Sequence, residues 1–173
     1  MCIVIDTNTL SKVFKCDNKE HLKFKPVLDW IINGNGRIIV GGSTFDREIF
    51  EKIGWFRNLF IQLKKVNKVV IIDNAKVDAL QIIIQDMKKH KDFDDPHIVA
   101  LLGASKCRVL CTGDLRSLPF IRDKTLYPKK VFPPMIYTDQ NNAAQLCDKN
   151  VADCCLPKVK LRKRELRVIL AHR

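Results

Sequence analysis

Four carboxylates in this chain stand where a folded α/β protein would bring them together. Asp6 directly follows the apolar run Met1–Ile5, and Asp114 follows the apolar run Cys107–Thr112 through Gly113. Glu48 falls about one turn into the helix expected after Arg37–Val40, and Asp95 opens the helix that precedes the Cys107 run. With the apolar runs as parallel strands, all four acids lie beyond one sheet edge, where adjacent strand ends are about 5 Å apart. Carboxylates packed that closely repel unless a cation sits between them. Oxygen ligands without His or Cys suit Mg²⁺ or Mn²⁺. Such an ion polarises an oxygen bound to it and makes a bound water more acidic, so the residues point to metal-assisted chemistry.

Each acid also has a local explanation. Asp6 can cap a helix beginning near Thr7, and Asp95 is a natural N-cap with Pro96 at the first helical position. Asp114 can stabilise the Thr112-Gly113-Asp114 turn, and Glu48 can be a solvated helix residue. Single residues of these types are common at caps and turns; four together at the matching ends of four elements are not explained by capping. Asp46 is treated apart, because Ser43-Thr44-Phe45-Asp46 has the spacing of a capping box and gives Asp46 a local role. Glu48 is then the better ligand candidate, with Asp46 the alternative. Asp92 and Asp94 crowd Asp95, so Asp94 is an alternative third acid.

Sulfur and imidazole offer less. The seven cysteines are odd in number and irregularly spaced, which fits reduced thiols in a cytosol better than a disulfide framework. Cys107 and Cys111 lie in an apolar run and read as small buried hydrophobes. Cys147, Cys154 and Cys155 lack a CxxC pairing, and a zinc site with His172 has little support. His97, inside the Asp95 helix, reads as structural or near the rim of the site. There is no Walker motif and no GxGxxG, so no nucleotide cofactor is indicated.

The elements that would position the acids follow from apolar patterning. Strands are expected at Met1–Ile5, Arg37–Val40, Val69–Ile72, Cys107–Thr112 and Val131–Tyr137, the last broken by Pro133-Pro134 and so placed at an edge. Helices are expected over residues 19–33, with Leu22, Val27, Leu28, Ile31 and Ile32 on one face, and after Gly41-Gly42-Ser43, carrying Phe45, Ile49 and Ile53. Others are expected over Trp55–Lys65, over residues 75–89 with Val77, Leu80, Ile83, Ile84 and Met87 on one stripe, and from Asp95 to Ser105. Alternation of helices with continuously apolar strands predicts an α/β fold: a doubly wound, mainly parallel sheet of about five strands, covered on both faces. Ligands of such sheets bind beyond the carboxyl ends of the strands.

At 173 residues, 46% apolar and 29% charged, the chain is long enough for a real core and is not disordered. No apolar run approaches the ~20 residues needed to cross a bilayer. MCIVIDTNTL has neither a basic leader nor a cleavage site, so a cytoplasmic protein with no membrane association is expected. The net charge is +12, and residues 156–173 hold seven Lys/Arg against one Glu. A basic surface concentrates polyanions, nucleic acid above all. Lys88, Lys89 and Lys91, just before the Asp92–Asp95 acids, are expected to flank a substrate groove. Arg162, Lys163 and Arg164 belong to a basic tail in which Leu161, Leu166, Ile169 and Leu170 can form one helical stripe. That tail reads equally as an RNA clamp, a partner-binding helix or a solvated terminus.

Ile5-Asp6-Thr7-Asn8-Thr9-Leu10, Asp46-Arg47-Glu48-Ile49, Asp95-Pro96-His97-Ile98-Val99-Ala100 and Cys111-Thr112-Gly113-Asp114 resemble, in order and spacing, the motifs of PIN domains. The likeness is greatest to the single-domain, VapC-like toxins of bacterial toxin–antitoxin pairs. It covers residues 1–137 as a PIN-like domain and leaves 138–173 as a C-terminal extension. The resemblance implies a metal-dependent endoribonuclease with Asp6, Glu48, Asp95 and Asp114 as catalytic ligands for Mg²⁺ or Mn²⁺. It further implies Asn8 orienting Asp6, Thr112 supporting the last acid, RNA as substrate, a cognate antitoxin and a homodimer. Two departures stand out. Arg116 occupies a position where many relatives carry another acid, so it either holds a phosphate or weakens a second metal site. Gly41-Gly42 replaces a Ser-containing turn. The rival reading is a catalytically degenerate PIN-like module that binds RNA or protein. A haloacid-dehalogenase-type phosphohydrolase is a weaker rival, since it needs DxDxT where this chain has Asp6-Thr7-Asn8-Thr9-Leu10.

Overall fold

The computed structural model describes residues 2–150 and 152–172; Met1, Val151 and Arg173 lie outside them. Five strands, β1 (Cys2–Ile5), β2 (Arg37–Val40), β3 (Val69–Ile71), β4 (Val109–Cys111) and β5 (Met135–Tyr137), form one sheet in the order β3-β2-β1-β4-β5. Every pairing is parallel, with Val4 opposite both Ile39 and Leu110. β1 is buried along its whole length, as its unbroken apolar sequence requires of a central strand. The expected doubly wound α/β architecture is thus the observed one. β5 does lie at an edge, and it is confined to Met135–Tyr137 because Pro133-Pro134 cannot join a ladder.

The crossovers carry α1 (Leu10–Phe14) and α2 (His21–Ile32) between β1 and β2, then α3 (Ser43–Arg47) and α4 (Phe56–Lys65) before β3. The return to β4 carries α5 (Asn74–Met87) and α6 (Pro96–Ser105), and α7 (Leu118–Ile121) precedes β5. Helix α1 packs on α2 and α5 on α6, while α3 reaches both α5 and α6. Every residue of α6 is buried, so the Asp95 that begins it is held by a rigid element. Among the described residues no helix is long and apolar enough to cross a membrane.

Several local expectations change. Helix α2 begins at His21, which turns Leu22 outward to 76% exposure while Phe24, Val27, Leu28 and Ile31 face the core. On α5 only Val77 and Ile84 are fully buried, because α6 covers a narrow stripe; Ile83 and Met87 are exposed. The Ser43–Asp46 capping box does not form. Gly42 is the N-cap of α3, and Asp78 of α5 receives both the Ser43 N–H (2.8 Å) and its hydroxyl (2.6 Å). Asp46 instead accepts from Asn74 Nδ2 (2.7 Å). The Gly41-Gly42 departure has a steric cause at Gly42, whose φ is 89° and where a Cβ would meet Val77 Cγ1 at 2.7 Å.

The C-terminal extension is docked on the same core. Ala152, Cys155 and Ile169 are buried in it, and α8 (Lys163–Leu170) packs against α4. Lys68 is fully buried, and its ammonium donates to Gly34 O (2.9 Å), Gly36 O (3.2 Å) and Val159 O (2.8 Å). Burial, then the Arg37 charge, pushes that ammonium down to about 8. Cys2 and Cys155 are joined as a disulfide with Cα atoms 6.1 Å apart, where composition pointed to reduced thiols throughout. Proximity of the first strand to a turn 153 residues later brings the two together. Cys107 and Cys111 are the inert buried thiols expected, and burial pushes Cys107 up to about 12.

Candidate metal centre

The strand order reverses between β1 and β4, so a crevice opens beyond their carboxyl ends. Asp6 leaves β1 at this point, and its N–H donates to Cys111 O (2.9 Å). Thr112 leaves β4 beside it. The Thr112 hydroxyl donates to Asp6 Oδ2 (2.7 Å) and accepts from the Asp114 N–H (3.0 Å). One side chain therefore fixes both the first acid and the turn that presents the last. Asn8 contributes its backbone N–H to Asp6 Oδ1 (3.3 Å), while its side-chain oxygen accepts from Thr9 (2.8 Å). Asp6 thus caps the Thr7–Thr9 3-10 turn as well as facing the crevice.

Glu48 arrives from the other side. Helix α3 widens into a π turn over Glu48–Lys52, a distortion often found at functional sites. Glu48 Oε2 accepts from the Thr7 hydroxyl (2.6 Å) and lies 3.5 Å from His97 Nε2. Asp95 is the N-cap residue of α6, yet its side chain makes no capping bond. Its Oδ1 lies 4.0 Å from His97 Nδ1. One oxygen each from Asp94, Asp95 and Asp114 falls within 4.8 Å of the other two. Asp46 is engaged by Asn74, so Glu48 is the residue that the α3 segment turns towards Thr7 and His97.

The electrostatics record the crowding. Burial and the negative charge of Asp6 push Asp95 up to about 6, with Asp94 and Glu48 adding and His97 opposing. Asp6 is also raised by burial, against the hydrogen bonds from Thr112 and Asn8. Asp114 moves the other way: its hydrogen bonds with Arg116 hold it below the usual carboxylate range. Arg116 Nε and Nη2 donate to the two Asp114 oxygens at 3.1 and 2.9 Å, and Nη2 is 3.6 Å from Asp94 Oδ2. The guanidinium therefore occupies the outer side of the acidic cluster, where an ion or a phosphate would compete with it.

The basic residues divide. Lys88, Lys89 and Lys91 are exposed in the α5–α6 connection leading to Asp94-Asp95, and Lys88 Nζ is 3.7 Å from Asp123 Oδ2. Arg162, Lys163 and Arg164 are exposed too, but their segment docks at Val159 against Lys68, Gly34 and Gly36, beside the beginnings of β2 and β3. That edge is one strand length, about 13 Å, from the acids. Beside Glu48 a groove of about 370 Å³ is lined by Thr7, Asn8, Ser11, Glu48, Ile53 and Trp55. Lys15 Nζ lies over the Trp55 ring, 4.7 Å from its centroid.

Sequence patterning does not indicate Thr7, Trp55 or Lys15, and it reads His97 as structural or near the rim of the site. The available signal for His97 was its position in the first turn of the helix that Asp95 opens. Thr7 adjoins Asp6, but only the fold reveals that its hydroxyl reaches Glu48, 41 residues away. No protein-family model matches the chain, and neither a curated protein nor a solved structure matches it.

Proposed function

We propose that the protein is a divalent-metal-dependent endoribonuclease. The observation that carries this reading is the approach of Asp94, Asp95 and Asp114 within 4.8 Å of one another beside the strand reversal, with Asp6 and Glu48 near enough to help push Asp95 up to about 6. An array that keeps buried acids together against their repulsion is built for a cation. The donor set is oxygen-rich and fits Mg²⁺ or Mn²⁺. When bound, such an ion supplies Lewis-acid polarisation of a phosphodiester oxygen and a more acidic attacking water.

The chain's own groups do the rest. Thr112 and the Asn8 N–H fix the rotamer of Asp6, and Thr7 fixes Glu48. Asp6, Glu48, Asp95 and Asp114 would hold the ion, and they come from the end of β1, the α3 segment, the start of α6 and the turn after β4, so no single loop movement dismantles the set. Arg116 donates to Asp114 in the free protein and is positioned to exchange that carboxylate for a phosphate oxygen. The Trp55 face and Lys15 offer a stacking surface and a cation beside Glu48, which suits an unpaired nucleotide better than a duplex.

The PIN-domain resemblance extends the proposal to a toxin with a protein antitoxin and a second copy of itself as partners. One observation favours the rival, a binding module without catalysis: the two-point pairing of Arg116 with Asp114. End-labelled single-stranded RNA incubated with the protein in Mg²⁺, Mn²⁺ or a chelator separates the two. Internal cleavage that needs the metal is expected; retention of intact RNA under every condition would support the binding module.

A further inference from the structure

Three of the seven cysteines meet where the C-terminal extension docks on the sheet. The sulfurs of Cys2, Cys154 and Cys155 all lie within 4.8 Å of one another. Cys2 opens β1, and the other two belong to the 3-10 turn Asp153–Cys155. Cys2 and Cys155 are buried, and Cys154 is half-buried. The disulfide uses Cys2 and Cys155, and Cys154 takes no part in it. A link needs two sulfurs, yet the third is held beside it. Its Sγ stands 3.9 Å from that of Cys155 and 3.5 Å from Ser105 O.

A spacing of 3.9 Å is the one a tetrahedral ion sets between its ligands. With Zn–S bonds of about 2.3 Å, neighbouring thiolates stand about 3.8 Å apart. Soft thiolates select Zn²⁺ and leave Mg²⁺, Ca²⁺ and Mn²⁺ to oxygen sites. A Zn²⁺ held by three thiolates carries one net negative charge. Arg37, the residue opposite Cys2 in the β1–β2 ladder, brings a compensating positive charge. Burial pushes the Cys154 thiol up, and a backbone hydrogen bond and the Arg37 charge oppose it. A buried thiol of this kind keeps its proton until a metal displaces it.

We propose that, once the Cys2–Cys155 link is reduced, Cys2, Cys154 and Cys155 form a zinc site, with Zn²⁺ replacing the disulfide as the clasp between β1 and the C-terminal extension. A low-molecular-weight thiol supplies the two electrons. The Cys2–Cys155 bond breaks, a disulfide forms between two reductant molecules, and each cysteine takes up one of their protons. Zn²⁺ then displaces the three thiol protons to solvent, and a water completes its four ligands. Disulfide and zinc are mutually exclusive, and either one ties the extension to the strand that ends at Asp6. The site is independent of the nuclease reading, because it shares no residue with the acidic crevice.

The test compares the full chain before and after reduction, with the reductant removed under anaerobic conditions. Co²⁺ is added as a spectroscopic stand-in for Zn²⁺. The reduced protein should show thiolate-to-cobalt charge transfer and the intense visible bands of a tetrahedral centre, and Zn²⁺ should abolish both at one equivalent per chain. Co²⁺ bound by carboxylates gives neither feature, so the acidic crevice cannot imitate the result. The disulfide form should show no charge transfer. Cys154→Ser keeps both partners of the link, yet should weaken Zn²⁺ binding at least about tenfold, the smaller cost of a second-shell change. A Cys16→Ser, Cys147→Ser double variant should bind as the wild type does. Alkylation of reduced wild type needs no variant: Zn²⁺ should protect Cys2, Cys154 and Cys155 together. Reduced protein without charge transfer, charge transfer undiminished in folded Cys154→Ser, or protection that omits any of the three cysteines would overturn the site.

Discussion

Replacing Asp95 by Asn should make the metal-free protein more stable while removing its response to metal. In the fold this carboxyl is raised from 3.8 to about 6, first by burial and then by Asp6, with Asp94 and Glu48 contributing. A shift of that size corresponds to about 3 kcal/mol of destabilisation at neutral pH, at 1.36 kcal/mol per unit. That is an upper bound, because the four acids relax together when one is neutralised, so about 1–3 kcal/mol is expected. For a chain of this length it raises Tm by about 2–4 °C per kcal/mol. The sign follows from linkage. The folded state holds the Asp95 proton more tightly than the unfolded state, so this group's stabilising contribution is complete below about pH 4 and is lost as pH rises through about 6. The advantage of Asp95→Asn over the wild type should therefore be largest at pH 7.5 and shrink to roughly half at pH 5. Denaturation of both proteins in chelator at the two pH values measures this. Added Mn²⁺ should then stabilise the wild type and leave the variant largely unmoved. An Asp95→Asn protein no more stable than the wild type at pH 7.5, or one whose advantage ignores pH, would refute the crowded-carboxylate account.

Arg116→Ala should tighten Mn²⁺ binding, since it frees Asp114 from its guanidinium partner, and should raise KM for RNA if that guanidinium takes over a phosphate; calorimetry and steady-state kinetics read the two effects separately. Replacing Arg162, Lys163 and Arg164 together by Gln should lower the slope of log K against log salt for long single-stranded RNA by about 2. A short oligonucleotide that reaches only the crevice should be cut as before, because the tail docks through Val159 on Lys68, beside the beginnings of β2 and β3; an equal loss on both substrates would place the tail at the active crevice instead. Thiol titration in denaturant should find five free cysteines before reduction and seven after. Reduction of the Cys2–Cys155 link should cost about 2–4 kcal/mol of stability, and seven thiols without reductant would contradict the link.

The fold was legible because its signals are local. Apolar runs such as Cys2–Ile5 and Val109–Cys111 can be little else than buried parallel strands, and Gly42 and Pro96 mark where helices begin. Asp6 and Asp114 could be singled out because each ends a strand at a turn. Glu48 was preferred over Asp46 by a capping argument whose details failed: Asp78, on another helix, does the capping, and no spacing rule along the α3 segment contains it. The same limit hid the Cys2–Cys155 pairing, since a cysteine count carries no connectivity. It also hid the Thr7–Glu48 and His97–Glu48 approaches, which exist only once α3 is packed against α6, and α6 against β1. Arg116 was visible as a departure, but only the geometry reveals that its guanidinium spans Asp114 and approaches Asp94.

The most direct test of the central claim is the rate at which purified Asp6→Asn protein cleaves RNA in Mn²⁺, beside the wild type. The substitution keeps the shape, the Thr112 contact and the capability to cap the Thr7–Thr9 turn, and removes an anionic oxygen from the crevice. Cleavage should fall at least ~100-fold, with Tm equal to or slightly above that of the wild type. Undiminished metal-dependent cleavage by the folded variant would contradict the assignment of this crevice as the catalytic centre.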